Sequence, residues 1–487
     1  MRHTLLSLFA LALLLLAGCA STPDADEEPE PEFVGNDLLS HEEKEALSNE
    51  SPTAKEDTAA EEEEPPLAVA ESEPQSTSPD KLKDEVIVTG HIPQRYEIIS
   101  GHVTDAKTLL RDVELHYVFT GRGRFETLRG RPVAFALWSE NRQSWIIAHI
   151  EIPRPPVRWR PGGRPMSFRV ITPGIEARHI KGTGAERLMF AFSRNGEALK
   201  VYGRKFPVFD NKLIKKKQWH AVVETARPII YLPFTPDTLD PQLVSGGKDY
   251  LLNTARKAID ELRLANAPSM AFPGEQLADI VPAEVITTLA VIEQTDDTDF
   301  LRKKQDAVDE VLNHYGLKRD EAFRYSVSKA DALGPMQFTN RRGNGTYALV
   351  VRRCPAANID PNFERGATNL KNAMKAAICL FDMELSQMRD DIRLAYQSNM
   401  QVLGIFPVAA YNGGPRNVSK LYKVMKKMKL RLDELTRPVE TTLFRHVNCP
   451  CLWKATATGV MPVAIPRYNR ENRGYIEKYQ SILKVFE

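Results

Sequence analysis

The stretch Pro282-Ala283-Glu284-Val285-Ile286-Thr287-Thr288-Leu289-Ala290-Val291-Ile292-Glu293-Gln294 decides how the C-terminal half of the chain folds. A proline with fixed φ opens it, and Val281, Val285, Leu289 and Ile292 recur at spacings that put them on one face of a helix. The pattern stops at a carboxylate. Where an apolar helix runs out, a carboxyl group is partly desolvated, which disfavours its charged form. A carboxyl that keeps its proton near neutral pH can serve as a general acid. Glu293 is therefore the first candidate catalytic residue.

Helical periodicity continues on both sides. Residues 248–264 predict one helix, and Leu370, Met374, Ala377, Ile378, Phe381, Leu385 and Met388 mark another. Residues 300–317 also have helical character. Upstream, residues 85–235 change period. Val86-Ile87-Val88, the series Val113, Leu115, Tyr117 and Phe119, and residues 133–138, 145–152, 168–171, 188–192 and 219–223 predict strands. Arg160-Pro161-Gly162-Gly163 and Arg194-Asn195-Gly196 separate them, the latter a good hairpin turn. The expected fold class is α+β and multidomain: a sandwich- or barrel-like β-rich domain over residues 85–235, then a mainly α domain over residues 245–487. No internal repeat is evident. Arg122, Arg124, Arg129, Arg131, Arg154, Arg158, Arg160 and Arg164 make the β-rich part basic. It reads either as a module for the cell wall or an envelope protein partner, or as a spacer with a solvated basic surface.

The net charge of +1 over 487 residues hides an asymmetry. Residues 20–80 hold 20 Asp/Glu against Lys44 and Lys55, a net of −18, while residues 81–487 carry +18. The acidic segment, rich in Glu, Pro, Ser and Thr, reads as a disordered tether that spans roughly 45 Å as a coil. The basic remainder attracts polyanions or simply faces water. At the N-terminus, residues 5–16 are an apolar run too short to anchor in a bilayer. It ends Leu16-Ala17-Gly18-Cys19, which resembles the bacterial lipobox. That resemblance implies a lipoprotein signal peptide over residues 1–19, lipid on Cys19 and, with no Asp after the cysteine, the periplasmic face of the outer membrane. In such an oxidising compartment the other four cysteines, Cys354, Cys379, Cys449 and Cys451, are disulfide candidates. Cys449 and Cys451 are too close for an easy mutual bridge, so one or both are expected to reach Cys354 or Cys379. Cys379, within a helical pattern, also reads as a buried thiol. No second C-x-x-C and no His at ligand spacing accompany them, so no metal is expected, and no phosphate loop or other cofactor motif is present.

Four further segments carry chemistry. Ser328-Lys329-Ala330-Asp331-Ala332-Leu333-Gly334-Pro335-Met336-Gln337-Phe338 comes first, and Ile359-Asp360-Pro361-Asn362 leads into the helix after Thr368. Ala409-Ala410-Tyr411-Asn412-Gly413-Gly414-Pro415 and Glu471-Asn472-Arg473-Gly474-Tyr475-Ile476 follow. In order and content they resemble the lytic transglycosylases with a goose-lysozyme-like (SLT) domain, glycoside hydrolase family 23, and in style the membrane-bound transglycosylase D group. The resemblance covers roughly residues 275–487. It implies a lysozyme-like domain that cleaves peptidoglycan glycan strands and leaves 1,6-anhydromuramoyl ends, with no second catalytic carboxylate. Glu293 would be the acid. Glu321, seven positions before Ser328, is a rival by spacing, whereas Glu293 lies 35 before it and is followed by Gln294 where the family has Ser. Ser328 would support the acetamido group or the acid. Met336 and Tyr411 would offer faces to pyranose rings, Gln337 and Asn412 amides to hydroxyl and N-acetyl groups, and Tyr475 a further substrate contact. Asp296 and Asp297 keep a hydrolytic muramidase open, since either could activate water. A non-catalytic peptidoglycan-binding scaffold is the third reading. A nucleic-acid partner is not expected, because no matching motif is present.

Overall fold

Alternation along two ten-residue strands builds the first half of the molecule. β1 (Gly130–Ser139) and β2 (Ser144–Pro153) form an antiparallel hairpin in which Val133 faces Ile150 and Trp138 faces Trp145. Successive side chains of a strand point to opposite faces, and here both faces are covered. Val133, Phe135 and Leu137 join Ala148, Ile150, Phe190 and Phe192 in one core, while Ala134 and Ala136 join Tyr202 in another. The sheet continues through β3 (Arg169–Val170), β4 (Glu176–Lys181), β5 (Met189–Arg194), β6 (Glu197–Val208) and β7 (Arg227–Tyr231). Its order is β3-β2-β1-β6-β5-β4, with β7 paired to β6, and every pairing is antiparallel. The twelve residues of β6 let it pair with β5 at its start and with β1 and β7 further on, which curls the sheet toward a barrel. The β5–β6 turn is the expected one, with Asn195 at φ 51° and Gly196 at φ 80°.

This computed structural model describes residues 93–486 except 154–165, 183–187, 233, 329, 341–342, 437–450, 458 and 465–469. Val86-Ile87-Val88, the acidic segment, Cys19 and Cys449 lie outside the described residues. Residues Thr89–Glu487 form one compact unit, with no division between sheet and helices.

Two elements of the β-rich region differ from expectation. Helix α1 (Arg95–Arg111), opened by a Gln94/Glu97 capping box, lies across the sheet face that holds Ala134 and Ala136 and buries Ile99, Val103, Ala106 and Leu110. The segment after it, expected as a strand, pairs only at Phe119–Thr120; Lys205 Nζ instead donates to the Arg111 and Val113 carbonyls, both at 2.7 Å. Residues 219–223, also expected as a strand, lie in a helix, Trp219–Glu224, which buries only Val222. Five apolar-rich residues do not distinguish the two periods.

The helical half begins with α2 (Pro241–Leu264), whose N-cap Asp240 accepts from the Gln242 amide at 2.9 Å. It continues with α3 (Ala283–Gln294), α4 (Gln305–Lys318), α5 (Leu370–Ser386), α6 (Ile405–Gly413), α7 (Pro415–Lys427) and α8 (Arg470–Phe486). α3 and α5 are central. Val285, Leu289 and Ile292 of α3 are fully buried, as are Met374, Ala377, Ile378, Phe381 and Leu385 of α5. Buried Asp382 of α5 fixes the chain after α2 by accepting from Ser269 Oγ and Met270 N, both at 2.6 Å, and Ala271 N at 3.3 Å. α2 and α4 cross with their backbones touching. A Cβ on Gly247 would stand 1.9 Å from the Leu312 carbonyl oxygen, and one on Gly316 would stand 1.9 Å from that of Leu243. A hairpin of β8 (Cys451–Thr456) and β9 (Gly459–Ala464) interrupts a region expected to be helical throughout.

α4 also fastens the helices to the sheet. His314 Nε2 lies 2.7 Å from Tyr231 Oη of β7 and 2.9 Å from Lys318 Nζ, and the ammonium sits 3.0 Å from the Tyr231 ring centre. Burial first, then the charges of Lys318 and Arg204, holds His314 well below the usual imidazole range. Because its folded pKa is depressed, this group's stabilisation is present above the unfolded value of about 6.5 and is lost as pH falls below it. Denaturant unfolding should show stability declining from pH 7 to 5.5, with the slope reduced in His314→Gln. An equal slope in both would exclude His314 as the source.

Candidate active site

α3 delivers Glu293 to its C-terminal end, half-buried, after a run of buried residues from Val285 to Ile292. Its Oε1 accepts from the Tyr475 hydroxyl of α8 at 2.9 Å, a contact 182 residues apart in sequence. Burial, and then the neighbouring Glu293 carboxylate, pushes the Tyr475 phenol well above its ordinary value. The Tyr411 phenol of α6 is raised for the same two reasons, in the same order. It donates to the Met336 carbonyl at 2.7 Å. Two tyrosines from different helices therefore stand beside one carboxylate, and one of them also holds the Ser328–Phe338 loop.

The loop is built almost entirely from its own backbone. Ser328 Oγ accepts from the Ala330 and Ala332 amides at 3.2 and 3.1 Å, and Gly334 N donates to the Ser326 carbonyl at 2.9 Å. Asp331, Gly334 and Gln337 all take positive φ, 61°, 79° and 52°. At Gly334 the requirement is double, since a Cβ there would stand 2.0 Å from the Ala367 carbonyl oxygen. Gln337 Nε2 closes the turn on the Gly334 carbonyl at 2.7 Å. Gln294, next to Glu293, donates from Nε2 to the Gly334 and Pro335 carbonyls at 3.2 and 2.9 Å and so ties the loop to the acid's helix. This is a use for the glutamine that follows Glu293, and spacing alone did not reveal it.

Several sequence expectations change. Met336 is fully buried in the helical core and offers no face to a ligand. The left-handed residues on either side of it roll the chain so that its side chain points inward and its carbonyl toward Tyr411. Ser328 uses its oxygen as the acceptor that closes the turn. Asn412 lies near the end of α6, where its buried Nδ2 has no hydrogen-bond partner. Glu321 is not brought to Glu293: its carboxylate, half-exposed at 53 %, pairs with Lys107 of α1 at 2.6 Å. Asp296 caps the helix Asp297–Lys303 by accepting from the Thr298 and Asp299 amides at 2.9 and 3.2 Å. Asp297 pairs at 2.5 Å with Lys478 of α8, which also donates to the Thr295 carbonyl. Lys478 was missed, although its signal was readable: a lysine set in the apolar stripe of Tyr475, Ile476, Tyr479 and Ile482. Glu471 lies in α8, but its side chain is outside the description.

Cys354 and Cys379 are buried free thiols that lie side by side, and burial, then the contact with Cys354, pushes Cys379 well above the usual thiol range. Neither thiol therefore carries the bridge expected from Cys449 or Cys451, whose own side chains lie outside the described residues. Among the described residues no group of three or more His, Cys, Asp or Glu could hold a metal ion, and no helix is long and apolar enough to cross a membrane. No family model matches the chain, and neither a curated protein nor a solved structure matches it.

Proposed function

We propose that the helical half is a lysozyme-like peptidoglycan lytic transglycosylase domain, and that Cys19 anchors the protein by lipid to the periplasmic face of the outer membrane. The observation that carries the reading is the convergence on Glu293. Elements carrying the motif residues Tyr411 and Tyr475 meet at this carboxylate, and Gln294 ties the motif loop 328–338 to the same helix end. Glu293 protonates the glycosidic oxygen between N-acetylmuramic acid and N-acetylglucosamine as the C1–O bond breaks. The substrate's acetamido group stabilises the positive charge. Glu293 then takes the proton of the muramic acid 6-hydroxyl, whose oxygen closes on C1 to leave the 1,6-anhydro end. One carboxylate suffices, an exception to the two-carboxylate scheme. Asp296 caps a helix and Asp297 pairs with Lys478, structural engagements with which a water-activating role would compete, and this supports the transglycosylase reading over hydrolysis.

The test is mass spectrometry of fragments released from purified sacculi by the full chain in non-ionic detergent. Anhydro ends are expected. Reducing ends would make the protein a muramidase, and binding without release would make it a scaffold.

A further inference from the structure

Helix α7 starts where the Tyr411-containing helix ends, after Gly414 at φ 75°. Its inner side buries Val418, Leu421 and Met425 in the helical core. Its outer side presents Arg416, Lys420, Lys423 and Lys427, all exposed, at the three- and four-residue spacings of a single helix face. Lys426 and Lys429 flank them, also exposed. The eleven helical steps from Arg416 to Lys427 make this a cationic track of about 16 Å.

Among the described residues the track lacks counter-charges: none of these six cations forms an ion pair, and the neighbouring carboxylates are engaged elsewhere. Asp391, which accepts from Tyr422 of α7, pairs with Arg389 at 3.0 Å, and Asp390 pairs with Arg393. Asp433 pairs with Arg431, and Glu434 with Lys454 at 3.0 Å. Four cations on consecutive turns repel one another, a cost that an anionic occupant removes. Tyr422 anchors the helix through Asp391, so the charges are displayed on a fixed element.

We propose that the outer face of α7 holds the carboxylates of the peptide stems on a glycan strand while the strand lies at Glu293. The proposal rests on the transglycosylase reading above and narrows its substrate to peptide-bearing strands. A compact ammonium recognises a carboxylate as a point charge and tolerates variation in stem geometry, and a repeating set of them suits a repeating polyanion. The track begins at Arg416, three residues beyond Gly413, so an occupant can reach both the track and the site.

The experiment compares the full chain in non-ionic detergent with the Lys420→Glu/Lys423→Glu/Lys427→Glu protein and with its Gln counterpart. Each is presented with intact sacculi and with strands whose stems have been removed by an amidase. Circular dichroism and melting temperature establish that each variant is folded. At low salt the ratio of cleavage rates on peptide-bearing to stripped strands should fall about tenfold in the Glu variant and less in the Gln variant. The difference should close at 0.5 M salt, roughly, as screening shortens the reach of the charges. An unchanged ratio, or equal loss on both substrates, overturns the proposal. If no protein cleaves either strand, the enzymatic reading fails instead. Co-sedimentation with the two substrates then decides the track separately, since retained binding to peptide-bearing strands in the Glu variant overturns it.

Discussion

Glu293→Gln is expected to cut the release of anhydro fragments from sacculi by about a thousandfold, the usual scale for removing a general acid. Glutamine keeps the length of the side chain and can still accept from Tyr475, so the site is preserved while the transferable proton is lost. Glu321→Gln run beside it should leave the rate unchanged, and its effect on stability should stay within about 1 kcal/mol, because the lost partner is an exposed ion pair to Lys107. The reverse result, loss with Glu321→Gln and retention with Glu293→Gln, would assign the acid to the wrong end of the inserted segment and overturn the site.

The second large effect lies in the loop rather than at the acid. Gly334→Ala forces a Cβ to 2.0 Å from the Ala367 carbonyl oxygen and places a non-glycine residue at φ 79°. Backbone strain of about 1–2 kcal/mol and overpacking of about 1–3 kcal/mol both act. Gly343→Ala is the control, since Gly343 has φ 78° but nothing within 4 Å of the added atom. It carries the strain without the overlap. Denaturant unfolding should place Gly334→Ala roughly 2 kcal/mol below Gly343→Ala, with fragment release lost in the first and kept in the second. Equal stabilities would mean that the loop is not pressed against the helix Phe363–Thr368.

Much of this was legible where one period ran long enough. α3, α5, the β1–β2 hairpin and the Asn195-Gly196 turn follow from local pattern, because each buries a stripe or a face that the period itself marks. α1 was missed although Ile99, Val103, Ala106 and Leu110 have helical spacing, since it stands among strands and its β-branched residues suit either period. The β8–β9 hairpin was missed inside a helical region for want of a turn signal as strong as Asn-Gly. At the site, motif order brought attention to Tyr411, Tyr475 and the loop, whereas the direction of Met336 depends on left-handed residues that no spacing rule foresees. Glu321 stood as a rival on spacing alone, because its partner Lys107 lies 214 residues away, and a pairing of that kind leaves no local trace.

The segment between Gln294 and Ser326 interrupts the expected spacing of acid and loop, and so resembles a dispensable insertion. Its helix α4 instead touches α2 backbone to backbone through Gly247 and Gly316 and grips β7 through His314. Excising it would remove the His314 grip on the sheet and the backbone contact with α2, leaving Leu243 of α2 against the sheet-side core, and cutting the chain between sheet and helices would expose both sides of that seam. The sheet is in this sense a foundation for the helices, and the two should melt as one cooperative body.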